Sequence, residues 1–294
     1  MVMVMKRGAS VIALMLLVSG RGWAAERHAM TGVVLKVYPA THTMVVSTLS
    51  VPGFMDAMAM PFSVREAKVL NGLKPGTTID FTFVVDRDSS YADDIRVRTY
   101  ENLEQEPLAL RRLRFLNSLA APADAPKVLT PAQHVPDFVL TDQNRQPVTF
   151  STLAGKVVAL TFTYLRCPNP SYCFRLANNF GQLQKRFRDR LGRDLVLLTI
   201  VIDPEHDQNG ALADYARIWT TNPRAWHFLT GAVPEIKRVS GMFGVEFWKD
   251  EGLLIHSFGT AVIDRHGALA ANLEGNQFTA EQLGDLVQTV LDRR

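Results

Sequence analysis

Residues 157–180 read VVALTFTYLRCPNPSYCFRLANNF. The opening run, Val157 to Leu165, is continuously apolar in the manner of a strand buried on both faces at the centre of a sheet. Beyond Cys173, the residues Leu176, Phe180, Leu183, Phe187 and Leu191 recur at steps of four, three, four and four, which gives a helix one apolar face to lay on that sheet. Between strand and helix stand Cys167 and Cys173, the only two cysteines in 294 residues. The stretch therefore predicts a buried strand, a cysteine-bearing connection and an amphipathic helix, the unit of an α/β fold.

The same rhythm extends through the C-terminal half. DLVLLTIVID is a second buried-strand run, and LLIHSFGTAVID followed by ALAANLE predicts a hairpin turned at Arg265, His266 and Gly267. Thr279 and Gln282 have capping-box spacing and open a last helix through Leu283, Leu286, Val290 and Leu291. Strand, cysteines, helix, closing hairpin and terminal helix form the thioredoxin-type order. Residues 31–100 differ: short alternating runs such as TGVVLKVYP, HTMVVSTL and TIDFTFVVD, separated by Pro, Gly, Asp and Ser, predict a small all-β, OB-like, five-stranded barrel. Between them, Leu108, Leu113 and Leu116 fall near helical spacing and an Ala/Pro segment reads as linker. The expected organisation is 1–24 signal peptide, 30–100 barrel, 101–134 linker and 135–294 α/β domain.

The N-terminus narrows the compartment. Lys6 and Arg7 precede an apolar run from Ala9 to Ser19 that is short for a bilayer span, and Gly22, Trp23 and Ala24 supply a cleavage region, so residues 1–24 read as an export signal. If this segment stays uncleaved it is a membrane anchor instead. Without it the chain loses Lys6, Arg7 and Arg21 and no acid, leaving 29 bases against 29 acids and no electrostatic case for nucleic acid. Two cysteines are too few for a disulfide framework outside the cytoplasm; they make one site.

What that site does is open at this level. Both thiols are expected at the carboxyl edge of the sheet, where a helix N-terminus and Arg166 favour thiolate. Thiolate attacks disulfides and also binds soft metals. An inert bridge is the third reading, although closing so short a loop contributes only about 2 kcal/mol. Two thiolates hold Cu(I), and an added imidazole makes a three-coordinate site that tolerates Cu(II). Among the seven histidines, His256 is the one that a thioredoxin-type sheet carries toward the cysteines. His206 and His227 have no assigned place, His134 and His266 lie at the linker's end and in a turn, and His28 and His42 belong to the first domain. There, VPGFMDAMAMPFSV gathers Met55, Met58 and Met60, neutral thioethers that select Cu(I); the competing reading is core packing.

The motifs VPDFVLTDQNRQPVTFSTLAGKVVALTFTYLRCP, LLTIVIDPEHD, WHFLTG and HSFGTAVIDRHG, spread from Val135 to the C-terminus, resemble the Sco/SenC proteins. That resemblance implies a thioredoxin-fold copper protein on the outer face of the membrane that helps deliver copper to the CuA centre of cytochrome c oxidase. It implies copper ligation by Cys167, Cys173 and His256, with Asp203 and Pro204 in support. The family loop is CxxxC, whereas this chain has Cys-x5-Cys, which keeps open a thiol–disulfide oxidoreductase acting on the copper-site cysteines of a partner. A peroxiredoxin-like activity is a weaker third. VPGFMDAMAMPF resembles the CusF-type periplasmic copper-binding domain, a barrel that binds Cu(I) or Ag(I) through methionines and a histidine. The family histidine falls near Thr48, so Met55, His42 or His28 would have to complete the site. The combined expectation is an exported, periplasmic metallochaperone that moves Cu(I) by ligand exchange. Its partner is the copper-bearing subunit of cytochrome c oxidase or another copper protein.

Overall fold

The structure is a computed structural model describing residues 25–98, 127–167, 170–206, 209–250 and 253–293. The expected signal segment, and the near-helical leucines between residues 108 and 116, lie outside the described residues.

The first unit is one antiparallel sheet of β1 (Glu26–Tyr38), β2 (Thr43–Thr48), β3 (Ala59–Ser63), β4 (Thr78–Val85) and β5 (Ser90–Val97), in the order β3-β2-β1-β4-β5. Alternation sends Met30, Val34, Met44, Val46, Phe62, Ile79, Phe81 and Phe83 to one concave face, where they form a small core. The edge strands β3 and β5 approach but share only the isolated parallel bridge between Val64 and Ala92. The expected barrel is thus a curled open sheet: β3 is five residues long and leaves too few backbone groups at the seam to complete a ladder.

The second unit is a seven-stranded mixed sheet in the order β14-β13-β8-β9-β10-β6-β7. Its centre is β8 (Val157–Thr163), β9 (Leu195–Val201) and β10 (Trp226–Thr230), all parallel. Every residue of β8 and β9 is buried, as the unbroken apolar runs require. Flanking them antiparallel are β6 (Val139–Asp142) with β7 (Pro147–Thr149) on one side, and β13 (Gly259–Ile263) with β14 (Leu269–Glu274) on the other. Helices α1 (Arg175–Arg186), α2 (Asn209–Trp219), α3 (Val233–Met242) and α4 (Ala280–Leu291) complete the layers. The predicted face of α1 is buried at Leu176, Phe180 and Leu183, each stabilising the fold by roughly 1.5–3 kcal/mol. Thr279 and Gln282 form the expected capping box at α4. Among the described residues, no helix is long and apolar enough to cross a membrane.

The structure departs from the expected hairpin in one place. LLIHSFGTAVID is two strands: β12 (Leu253–His256) pairs with β11 (Phe247–Asp250) in a separate ribbon, and β13 starts only at Gly259. The break is at Ser257, whose N–H donates to Glu246 O at 2.9 Å while its hydroxyl accepts from Glu246 N at 2.9 Å. Those bonds leave His256 at the end of a strand outside the main sheet. Residues 127–134, read as the end of a linker, are bonded into this unit: Leu129 N donates to Met242 O and Ala132 N to Leu269 O, both at 2.8 Å.

The two units are packed together. Val33 and Leu35, on the convex face of β1, belong to the core of the second unit. Ser47 Oγ donates to Asp285 Oδ2 at 2.7 Å, and Asp285 also accepts from Arg186. Gln282, having accepted the helix-capping bond through Oε1, donates through Nε2 to Ser47 O at 3.1 Å. Gly76, at φ +92°, lies so near β14 that a Cβ would stand 2.9 Å from Asn272 O. The first unit therefore covers α4 and the outer strand β14, which would otherwise be an exposed edge. Replacing Gly76 by Ala adds a backbone clash to left-handed strain and is expected to destabilise the protein by ~1–3 kcal/mol, read as the denaturant midpoint. Gly72→Ala, at a similar positive φ but with nothing within 4 Å of its added carbon, should cost less.

Candidate metal centres

The chain leaves β8 at Thr163 and passes through Tyr164, Leu165 and Arg166 to Cys167; a π-helical turn, Pro170–Phe174, then carries Cys173 into α1. Neither cysteine is in a disulfide; Cys167 is half-buried and Cys173 buried. From the far ribbon, His256 reaches the same spot and sets its Nε2 3.9 Å from Cys173 Sγ. Its other nitrogen, Nδ1, lies 3.0 Å from Ser257 O. A carbonyl only accepts, so Nδ1 carries the proton and the Nε2 lone pair faces the sulfur. The ring is packed by Tyr164 edge-on at 5.3 Å and by Phe258 at 4.6 Å between centroids. Burial lowers its pKa to about 4, which keeps the imidazole neutral.

The Cys173 thiol does not behave as the sequence suggested. The Cys173 thiol is pushed well up, first by its hydrogen bond with Cys167, then by burial and the charge of Cys167; the Thr163 hydroxyl and Tyr164 amide oppose this only partly. Cys173 sits within the π-turn, short of the α-helical N-terminus, and the Nη2 of Arg166 donates to Asp203 Oδ2 at 3.0 Å. Cys173 thus keeps its proton, held against Cys167, until something displaces it. A soft cation does so, because it replaces a thiol proton with a metal–sulfur bond. Among the described residues, no group of three or more His, Cys, Asp and Glu is already arranged to hold a metal ion. His256 faces Cys173, and Cys167 is hydrogen-bonded to Cys173.

Asp203 lies beside this site, buried to 4% exposure, and accepts from Arg166 and from His206 Nδ1 at 3.0 Å. Burial alone would raise its carboxyl, but the hydrogen bonds from His206 and Arg166 outweigh that and hold it below the ordinary carboxylate value. The other histidines of this unit stand apart from the thiols: His227 faces Asp142 at 3.4 Å, and His134 and His266 line a cavity at the opposite end of β8. Sequence reasoning missed Tyr164, Phe258 and Tyr215. Tyr164 and Phe258 follow directly from the strand and the histidine they flank. Tyr215 is a helical aromatic whose hydroxyl is pushed up to about 12 by burial and by Cys173.

In the first unit, Met60 lies in β3 opposite Val46, half-buried against the concave core, and Met55 is half-buried in the preceding loop. Met58 precedes β3 and is 48% exposed; its carbonyl accepts from Thr48 N at 2.9 Å and Thr48 Oγ1 at 3.1 Å. The three thioethers are thus all at one end of the sheet. His42 is at the other end, in a left-handed turn whose carbonyl accepts from Val64 N at 2.8 Å. His28 is at the methionine end, stacked on Phe54.

A model of the family described as SCO1/SenC matches residues 127–292, more than half of the chain. The chain belongs to the SCO1/SenC family. Residues 27–96 match a second model, described as copper binding periplasmic protein CusF. A protein of Stutzerimonas stutzeri named for copper binding is 30% identical over 146 residues, spanning 47% of this chain and 68% of that relative. A SCO1/SenC family lipoprotein of Bacillus anthracis has the same fold, with TM-score 0.50 and 24% identity over 56% of this chain and 99% of its own. The copper-bound ScoI of Arabidopsis thaliana aligns with TM-score 0.48 and 23% identity over 55% of this chain and all of its own.

The buried imidazole sets a pH dependence. Its folded-state pKa lies below the ordinary 6.5, so on acidification the unfolded chain takes up the proton first. The metal-free protein should keep this contribution above about pH 6.5 and lose up to ~3 kcal/mol of it toward pH 4. Denaturant titrations across that window should show the slope in the unaltered protein and a shallower one in His256→Phe.

Proposed function

We propose that this SCO1/SenC protein is an exported copper carrier that takes up Cu(I) at Cys167, Cys173 and His256 and passes it on by ligand exchange. The observation that supports this best is the 3.9 Å approach of His256 Nε2 to Cys173 Sγ, with Nδ1 committed to Ser257 O. A neutral imidazole lone pair aimed at a thiol, with a second thiol on the same connection, is a soft donor set for a monovalent soft cation, and the imidazole extends it to Cu(II). Copper is the metal named by the family model on residues 27–96 and by the Stutzerimonas stutzeri relative. The methionine cluster is a second Cu(I) site of weaker, neutral donors. The location we propose is the periplasm or the outer face of the inner membrane, in keeping with the periplasmic description of the CusF family. The recipient we propose is the copper-bearing subunit of cytochrome c oxidase or another copper protein with soft ligands. No bond-breaking turnover is involved.

Exchange would proceed through this chain's own residues. Cys167, half-buried, is the sulfur an incoming donor reaches first, while Cys173 and His256 hold from the buried side. Uptake releases thiol protons, and discharge returns them as competing sulfur ligands replace Cys167 and then Cys173.

A second reading rests on the hydrogen bond between the two thiols. Sulfurs that close can cycle between dithiol and disulfide, which would make the protein an oxidoreductase for copper-site cysteines. Copper stoichiometry of the reduced protein separates the two. A carrier should bind metal at both sites, lose one site in Cys167→Ser/Cys173→Ser and the other in Met58→Leu/Met60→Leu, and lose thiol reactivity on loading. Unchanged thiol reactivity in the presence of Cu(I), together with reduction of a model disulfide without metal, would favour the exchanger.

A further inference from the structure

In the first unit β1 runs past the end of β2. Gly32 is opposite Thr48 and Leu49 N donates to Thr31 O at 2.9 Å, so β1 before this point has no β2 partner. The loop between β2 and β3 folds over that free length. It is closed on itself by Val51 N donating to Met55 O at 2.8 Å and Met55 N to Val51 O at 3.0 Å. Its Phe54 ring lies nearly parallel to the His28 imidazole, with centroids 3.5 Å apart and planes 10° apart.

Strand alternation puts His28 on the same face of β1 as Met30 and Val34, which is the concave face. Met55 and Met60 pack against that same core. Thr48, near which the family imidazole is expected, is 1% exposed and its hydroxyl is bound to Met58 O. His42, the other histidine of this unit, is at the far end of the sheet. His28 Nε2 is buried and has no hydrogen-bond partner; the carboxylate of Glu26, mostly exposed, stands 3.5 Å away. A buried ring nitrogen without a hydrogen bond, at the end of the sheet that carries the methionines, is a donor that a soft cation would satisfy.

We infer that His28 supplies the imidazole of the methionine site, so that Cu(I) or Ag(I) is held between β1 and the β2–β3 connection by His28 with Met55, Met58 and Met60. This rests on the reading of the methionine cluster as a Cu(I) site. It differs from a cluster of thioethers alone in tying the metal to β1, the strand whose other face is packed on the second unit. It differs from the cysteine site in needing no thiol proton to leave.

The test uses the full chain carrying Cys167→Ser/Cys173→Ser, with Ag(I) as a redox-inert probe and Cu(I) measured by competition with a chromophoric chelator. His28→Gln should weaken binding about tenfold or more, and His42→Gln by less than about twofold. In isotope-labelled protein with His28 intact, the His28 Nε2 resonance should shift on addition of Ag(I), a readout that does not depend on how a variant folds. Unchanged affinity in His28→Gln, or an unmoved Nε2 resonance while Met58→Leu/Met60→Leu still abolishes binding, overturns the assignment of His28 and leaves a thioether site. Absence of any Ag(I) or Cu(I) binding in the thiol-free chain overturns the methionine site itself.

Discussion

The imidazole of His256 is neutral, buried and fixed in one tautomer by a bond to its own neighbour's carbonyl, and the use of the cysteines depends on that constraint. Were the ring charged, it would present a proton to Cys173 where it now presents a lone pair, and it could not join two sulfurs around a cation. Burial is what enforces neutrality, and Tyr164 and Phe258 are what enforce burial. Cys167 and the same enclosure together raise the Cys173 thiol, so Cys173 retains its proton. In the proposed carrier, affinity for a soft metal has to exceed the cost of releasing that proton, which would make uptake selective for ions that bind sulfur strongly.

The packing of the two units gives this site a setting. One glutamine, Gln282, both closes the first turn of α4 and holds β2 through Ser47 O, while Asp285 ties Ser47 to Arg186 on α1. α1 is the helix that Cys173 leads into, and Arg175, two residues on, donates to Gln277 O just before α4. The thiol-bearing helix, the terminal helix and the methionine-bearing sheet therefore share one continuous set of contacts. The first unit is a packed layer of the fold, covering an edge strand that a free-standing α/β unit would leave open to pairing.

Much of this was legible in the residues. The unbroken run from Val157, the apolar face of α1 at Leu176, Phe180 and Leu183, and the Thr279/Gln282 pair each contain their own structural reason and fold as read, although α1 ends at Arg186, short of the Phe187 and Leu191 that the spacing includes. His256 also reaches the thiols as the fold order implied. What was not legible depended on partners distant in sequence. The end of β12 is set by Ser257 bonding to Glu246, and nothing within LLIHSFGTAVID marks it. The partner of Arg166, Asp203, is likewise distant, 37 residues away. Between His28 and His42 only strand register decides, since β1 overshoots β2 at one end and turns tightly at the other. One signal was present and unused: Val33, Val34 and Leu35 are consecutive apolar residues, too many for a strand with one buried face, and they mark β1 as buried on both.

The most direct test of the central claim is X-ray absorption at the copper edge on the reduced Met58→Leu/Met60→Leu protein loaded with one equivalent of Cu(I). Two sulfur neighbours and one imidazole nitrogen, with the imidazole scattering lost in His256→Ala, is the result expected. A first coordination sphere of sulfur alone, identical with and without His256, would contradict it.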